Sequence, residues 1–359
     1  MSYLSFEEIV TGVRNLATEY DAFCDLVTLP NTSVEARDVL ALALGDSRGP
    51  GVRTVVYVGG VHAREWIPPD ALLYFAADLL EARREGTGLS WGDARISAEE
   101  LGRIFATLQL VILPCANPDG RIYSQEVDPD WRKNRARNVR SDGGLCHGVD
   151  INRNFDVAWD FRRTFAPDAV SASDDPCNKY LYVGPEAASE PETANIVWLL
   201  DHFTGTGWYL DIHSAVPAIY HNWGLDELQS DAPEMNFLNP AHDGQRGIAG
   251  DALYREFIEP ADATEMARLS RLMAEEIRKV RGDDYAVSAS FSLYATSGAS
   301  DDYAYSRHRA DTGKPKVLGF TMECGHAFQP EFAEAEEVMR EVSAALARFA
   351  AEVSSVAPA

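Results

Sequence analysis

Short apolar runs alternate with amphipathic segments along most of the chain. The runs whose length and composition predict buried β-strands lie at 39–45, 53–60, 107–114, 207–214, 285–292 and 316–325. The segments with apolar residues at helical spacing lie at 5–20, 69–86, 189–203, 262–281 and 330–352. The helix predicted at 189–203 opens with the capping-box pair Ser189 and Glu192. Strands alternating with helices predict an α/β fold with a central, twisted, mixed but mostly parallel sheet and helices on both faces.

Two long stretches interrupt this alternation. Residues 115–185 and 217–262 are rich in Gly, Pro, Asn and Asp and predict irregular loops, which at this length are usually functional or disordered. The length alone would allow two domains, but no linker divides the chain. We therefore expect one domain over residues 1–359, with an irregular insertion at about 221–262 that shapes the rim of the site.

Composition and charge limit the classes of molecule that the protein is expected to bind. The chain is 46% hydrophobic, which is enough for a large core, and its formal net charge of -24 would repel nucleic acids and anionic membranes. No apolar run reaches the roughly 18 residues of a membrane span. The first residues resemble no secretory signal, which would indicate a cytoplasmic protein for the chain as written and a secreted one if it is a mature form, so the localisation stays open. We expect no nucleic-acid or membrane partner.

Polar side chains stand where three of the predicted strands end. His62 and Glu65 follow the strand at 53–60, His213 ends the strand at 207–214, and Glu323 lies near the end of the last strand. Open α/β sheets place their sites beyond the carboxyl ends of strands. Two His nitrogens and one carboxylate are a common ligand set for catalytic Zn²⁺, and a further carboxylate can carry protons. The pattern predicts a zinc site with Glu323 beside it, although His62 alone would more often be a hydrogen-bonded structural residue.

The chain resembles the zinc carboxypeptidases of the A/B type, the M14 or funnelin family, from about residue 4 to at least residue 330. The similar segments are 62–66, 117–124, 131–135, 146–156, 211–214, 292–305 and 320–324. The resemblance implies the zinc carboxypeptidase fold and hydrolysis of the C-terminal peptide bond of peptides or proteins. It also implies one Zn²⁺ per chain, held by His62, Glu65 and His213, which activates a water molecule with Glu323 as general base and acid.

The resemblance assigns further residues to the substrate. Arg132 would stabilise the oxyanion, Asn152 and Arg153 would hold the terminal carboxylate, and Tyr294 would close on the substrate. Arg64 would line the outer substrate cleft.

Structural alternatives to these roles stay open. The segment around Arg132 is rich in basic residues and is compatible with a solvated loop. Asn152 and Arg153 could tie down a turn, and Tyr294 could be a packed aromatic residue.

Specificity rests on Asp301. In the family, the residue seven positions beyond the tyrosine of the mobile loop lies at the base of the pocket for the last side chain. An acid there goes with C-terminal Arg or Lys, so we expect this preference, with broader specificity as an alternative because some relatives with an acid also accept apolar residues. In the structural alternative, Asp301 caps a turn beside Gly298. Ala215 stands where many members have a tyrosine of the outer subsites, which puts those subsites in doubt.

The resemblance also places a disulfide at Cys146 and Cys177, which would require oxidising conditions. It begins at the first residues, so we expect no prosegment, and we expect a monomer. Two rival functions stay open. One is a related zinc deacylase, amidase or cell-wall peptidase, and the other is a zinc-containing protein that binds C-termini without turnover.

Overall fold

The computed structural model describes residues 2–140 and 142–355. Its helices, α1 to α9, are Phe6–Glu19, Ile67–Glu85, Ala98–Thr107, Pro118–Glu126, Phe161–Thr164, Pro191–His202, Pro260–Arg281, Ser300–Ala310 and Phe332–Ser355. Its strands, β1 to β14, are Cys24–Thr28, Leu40–Leu44, Thr54–Gly59, Leu89–Trp91, Ala94–Ile96, Gln109–Leu113, Arg137–Val139, Leu145–His147, Thr206–His213, Ala218–His221, Leu228–Gln229, Glu256–Phe257, Ala286–Ala289 and Leu318–Glu323. The predicted domain limits, residues 1 and 359, lie outside the described residues, so the assignment of one domain stays a prediction.

The described part of the chain builds one large mixed sheet, in the order β1-β2-β6-β3-β9-β14-β10-β13. The four central strands, β6, β3, β9 and β14, are parallel to one another, while β1, β2 and β10 run antiparallel to neighbours. This arrangement, with helices on both faces, confirms the predicted α/β fold class.

The central strands consist mainly of buried apolar residues because both faces of the sheet are covered. Every residue of β2, β3 and β6 is buried. Helix α9 packs on α2 and α7, and α8 packs on β9 and β14. Strands covered on both sides need no alternation of apolar and polar residues, which explains the continuous runs in the sequence. No helix in the described ranges is both long and apolar enough to span a membrane.

Helix α6 does not begin as predicted. Its N-cap is Glu190, and no side chain caps it. The Ser189 hydroxyl instead donates to the Glu190 carboxylate and accepts from Asn154. Glu192 is buried and accepts a hydrogen bond from Asn134. The capping-box prediction at Ser189 and Glu192 is wrong because tertiary contacts use both side chains.

The stretches predicted as irregular contain regular elements. Helix α4 lies inside 115–185, and the buried strand β10 lies inside 217–262. The predicted strand at 285–292 is shorter, since β13 ends at Ala289 and a 3₁₀ turn, Ser290–Ser292, follows it. Helix α8 begins at Ser300, inside the segment 292–305 that resembles the mobile loop of the zinc carboxypeptidases. These elements are short or buried on all sides, so they lack the periodicity that reveals longer ones.

The predicted insertion is held by a buried arginine. The Arg246 guanidinium donates to the backbone oxygens of Thr164, Asn236 and Asn239 and to the carboxylate of Asp243. The Arg246 backbone oxygen also accepts from the amide of residue 166. The insertion therefore packs on the segment near residue 165.

Candidate active site

The carboxyl ends of the central strands bring three polar side chains together. β3 ends at Gly59, and the turn before α2 carries His62 and Glu65. β9, a parallel neighbour of β3, ends at His213. Because the carboxyl ends of parallel strands meet at one edge of the sheet, Glu65 and His213 become neighbours although 148 positions separate them in the chain.

The donor atoms of these residues face one another. Nδ1 of His62 lies 2.8 Å from Oε1 of Glu65, and Nδ1 of His213 lies 3.0 Å from Oε2. All three side chains are buried. Across residues 2–140 and 142–355, they form the only group of at least three ligand-type side chains whose donor atoms all lie within 4.8 Å of one another. Two imidazoles and a carboxylate are a usual zinc donor set, so the residues fit Zn²⁺.

A buried carboxylate that the sequence did not single out lies behind His62. Oδ1 of Asp150 is 3.3 Å from Nε2 of His62, and Oδ2 accepts a hydrogen bond from Nε of Arg132 at 3.0 Å. Burial opposes ionisation of Asp150, but Arg132 and then His62 hold its pKa well below the usual range. A carboxylate at Nε2 leaves Nδ1 free for a metal. The only signal in the sequence was an acid between Val149 and Ile151, two residues before Asn152.

Glu323 ends β14, the other parallel neighbour of β9, and is the register partner of His213. Burial and then the negative charge of Glu65 raise the pKa of Glu323 to about 7. A carboxyl group with such a pKa can both accept and return a proton near neutral pH.

Most of the predicted site residues line one cavity of about 40 Å³. Those that line it are His62, Arg132, Asn152, Arg153, Tyr294, Asp301 and Glu323. Hydroxyl-bearing residues that the sequence did not single out complete much of its wall, namely Tyr220, Ser290, Thr296 and Thr321. No residue of 221–262 lines this cavity, so within the described residues the predicted insertion does not shape its wall.

Arg132 is buried, and its Nε and Nη2 atoms both lie 3.0 Å from Oδ2 of Asp150. This contact excludes the interpretation of Arg132 as part of a solvated loop. The guanidinium is held in place at the cavity wall by an ion pair.

Asn152 and Arg153 lie on one 3₁₀ turn, Ile151–Arg153. Oδ1 of Asn152 accepts a hydrogen bond from the backbone of Ser300 at 2.8 Å. Arg153 donates from Nε to the Ser171 backbone oxygen and from Nη1 to the Asn152 backbone oxygen, while its buried Nη2 has no hydrogen-bond partner among the described residues. A buried donor without a partner is costly, so this Nη2 is suited to an anionic ligand in the cavity.

Tyr294 is 42% exposed, and its ring centroid lies 5.7 Å from the Arg153 guanidinium carbon. It is therefore not a packed core residue, and it borders the cavity beside Arg153.

Arg64 lies outside this cavity. Its guanidinium carbon is 4.1 Å from the Phe328 ring centroid and 5.0 Å from that of Tyr180, and Nη1 forms an ion pair with Asp130 at 2.9 Å. An aromatic platform holds the Arg64 side chain.

Asp301 lies in the first turn of α8 rather than in a loop. Its Oδ2 accepts from the Ser290 hydroxyl at 2.9 Å, and its Oδ1 accepts from the Asp302 backbone. Burial raises the pKa of Asp301 above its ordinary value. No basic side chain of the described residues pairs with this carboxylate, which both bonds the helix start and lines the cavity.

The predicted disulfide between Cys146 and Cys177 is present and joins β8 to a loop 31 positions further on. Cys24, Cys115 and Cys324 are free and buried. The bridge fixes one end of the chain segment that carries Asn152 and Arg153.

The chain matches the peptidase M14 family, the zinc carboxypeptidases, over residues 9–345. It is 28% identical over 324 residues to carboxypeptidase B of Astacus astacus, a match that covers 87% of this chain and 88% of that protein. It is 30% identical over 305 residues to mast cell carboxypeptidase A of Rattus norvegicus, which covers 84% of this chain and 60% of that protein.

Solved structures share the fold. Bovine thrombin-activatable fibrinolysis inhibitor, in complex with tick carboxypeptidase inhibitor, has a TM-score of 0.72 at 21% identity and matches 98% of this chain and 97% of its own. Carboxypeptidase A of Helicoverpa armigera has a TM-score of 0.69 at 24% identity over 97% of this chain and 74% of its own.

The family match spans nearly all the residues that build the sheet and the cavity. It confirms the resemblance seen in the sequence, and the donor set at the strand ends fits the metal that the family uses. The chain thus belongs to the zinc carboxypeptidase family, and it is a metallocarboxypeptidase that hydrolyses peptide bonds.

Proposed function

We propose that the enzyme removes the last residue of peptides at one Zn²⁺ held by His62, Glu65 and His213. The observation that carries this proposal is the shared cavity, where the candidate ligand His62, the carboxylate of Glu323 and the Arg153 guanidinium lie together. When bound, zinc supplies a Lewis acid that acidifies a water molecule and polarises the scissile carbonyl.

Glu323 takes a proton from the attacking water and delivers it to the leaving amine. Its partial burial, its place opposite His213 and its pKa of about 7 support both roles. Arg132 stabilises the negative charge that develops on the scissile oxygen, and its ion pair with Asp150 holds it ready for that role.

Arg153 binds the terminal carboxylate of the substrate through its unpartnered Nη2. Asn152 adds a neutral donor from the same turn, and the exposed Tyr294 closes over the bound residue. Arg64, held on its aromatic platform outside the cavity, lines the outer cleft for upstream residues.

Asp301 gives the enzyme a preference for C-terminal Arg or Lys. A buried carboxylate without a basic partner is costly, and a cationic side chain in the cavity would neutralise it. The names of the relatives do not decide this point, since both a carboxypeptidase B and a carboxypeptidase A are among them.

Hydrolysis of matched blocked peptides ending in Arg or Phe tests this preference in the wild type and in Asp301→Asn. Because removing one member of a buried charge pair costs about 2–5 kcal/mol, we expect the Arg-to-Phe ratio of kcat/KM to fall by about 100-fold in the variant. The control is Asp38→Asn, since Asp38 is exposed and forms an ion pair, within the described ranges, with Arg14 alone. Equal wild-type rates on the two peptides would refute the preference without touching the peptidase activity.

A further inference from the structure

A second buried carboxylate lies behind the other imidazole of the candidate zinc site. Asp211 and His213 are two residues apart on β9, so their side chains lie on the same face of the sheet. Oδ2 of Asp211 lies 3.0 Å from Nε2 of His213, which is an ion-pair distance, although the two atoms are not aligned as a hydrogen bond. Neither side chain is more than 1% exposed. This contact places Asp211 on the side of the His213 ring that faces away from Glu65 and His62.

Among the described residues, His213 is the basic side chain that pairs with the Asp211 carboxylate. Its Oδ2 accepts a hydrogen bond from the Ser300 hydroxyl at 2.5 Å, while its buried Oδ1 has no hydrogen-bond partner among the described residues. No Lys or Arg of the described chain pairs with it. Asp150, behind His62, differs because Arg132 already neutralises it. The negative charge of Asp211 therefore reaches the His213 imidazole without a neutralising Lys or Arg beside it.

We propose that Asp211 is a positioning residue that orients His213 and strengthens its bond to zinc, an inference that rests on the proposed zinc site. A carboxylate at Nε2 favours the tautomer with the proton on Nε2, which leaves the Nδ1 lone pair for the metal. The negative charge of the same carboxylate makes Nδ1 of the imidazole a stronger electron-pair donor to the metal.

Ser300 connects this carboxylate to the substrate cavity. Its hydroxyl bonds Asp211, and its backbone N–H donates to Oδ1 of Asn152. Ser300 is also the first residue of α8, directly before Asp301. The start of α8 thus fixes Asp211 relative to both the candidate zinc ligand and the cavity wall.

The test compares wild type, Asp211→Asn, Ser300→Ala and the control Asp38→Asn. Zinc dissociation constants are measured by competition with a chelator of known affinity, and the visible absorption of the cobalt-substituted proteins reports ligand geometry. Loss of such a partner typically weakens metal binding about 10- to 100-fold, so we expect this increase in the zinc Kd for Asp211→Asn. Ser300→Ala should give a smaller increase, and both cobalt spectra should shift.

A zinc Kd and a cobalt spectrum equal to those of wild type in Asp211→Asn would overturn the inference. If circular dichroism shows that Asp211→Asn does not fold, Ser300→Ala is used as the test instead. A zinc Kd in Ser300→Ala equal to that of wild type would then overturn the inference. Failure of the wild type to bind zinc would refute the proposed zinc site itself, which separates the two outcomes.

Discussion

At the scale of single residues, backbone oxygens orient the Arg153 guanidinium so that one of its N–H groups stays available to an anion. Two backbone oxygens hold Nε and Nη1, and the buried Nη2 is left without a partner. Arg153→Lys keeps the charge but loses the forked donors. We expect kcat/KM on peptides with a free C-terminal carboxylate to fall roughly 10- to 100-fold, the effect of about 1.5–3 kcal/mol for a charged hydrogen bond.

Peptides with an amidated C-terminus provide the control for Arg153→Lys. They lack the anion, so wild type and variant should hydrolyse them at similarly low rates, and zinc content should not change. An equal loss on free and amidated peptides would contradict the carboxylate role.

The sequence predicted the residues that follow a simple rule and missed those that do not. His62, Glu65, His213 and Glu323 stand at the ends of apolar runs, where an open sheet places its site. Asp150 was missed because it lies in a stretch predicted to be irregular, and Asp211 because it lies inside a strand. Only the folded structure reveals the imidazole beside each of them.

At the scale of elements, α8 was missed because it is buried along its first eight residues and shows no apolar stripe. Its charges do follow the helix dipole, with Asp301 and Asp302 in the first turn and basic residues in the last. The longer helices α2, α7 and α9 were predicted because their periodicity extends over several turns.

Gly298 makes the approach to α8 possible. Its φ is +62°, and a Cβ atom there would lie 2.5 Å from the Arg153 backbone oxygen. We expect Gly298→Ala to lower the free energy of unfolding by about 1–3 kcal/mol, and to raise KM because the turn of Arg153 must shift. Gly102→Ala in α3 is the matched control, since no atom lies within 4 Å of its added Cβ. Gly102→Ala should raise the free energy of unfolding by about 0.5–1 kcal/mol. Urea unfolding measures both, and equal effects would contradict the argument.

At the scale of the whole molecule, buried carboxyl groups in an acidic chain make stability depend on pH. Burial raises the pKa of Glu256 from the ordinary 4.5 of a glutamate to about 7. The folded state therefore binds more protons than the unfolded state between these values, and stability falls as pH rises through this window. Since one pKa unit corresponds to about 1.4 kcal/mol, Glu256 contributes a fall of about 3 kcal/mol.

Glu256→Gln removes this contribution. Urea unfolding at pH 5 and pH 8 should show a smaller fall in the free energy of unfolding for the variant than for the wild type. An equal fall in both proteins would show that Glu256 is ionised in the folded state at both pH values.

For Glu323 to serve as the base beside a zinc ion, the strand ends, the zinc donor set and the cavity must all be placed as the structure shows them. The most direct test measures zinc content and hydrolysis of a blocked dipeptide ending in Arg, for wild type and Glu323→Gln side by side. We predict one zinc in both proteins and activity in the wild type alone. A zinc-loaded wild type without activity, or a variant as active as the wild type, would contradict the account.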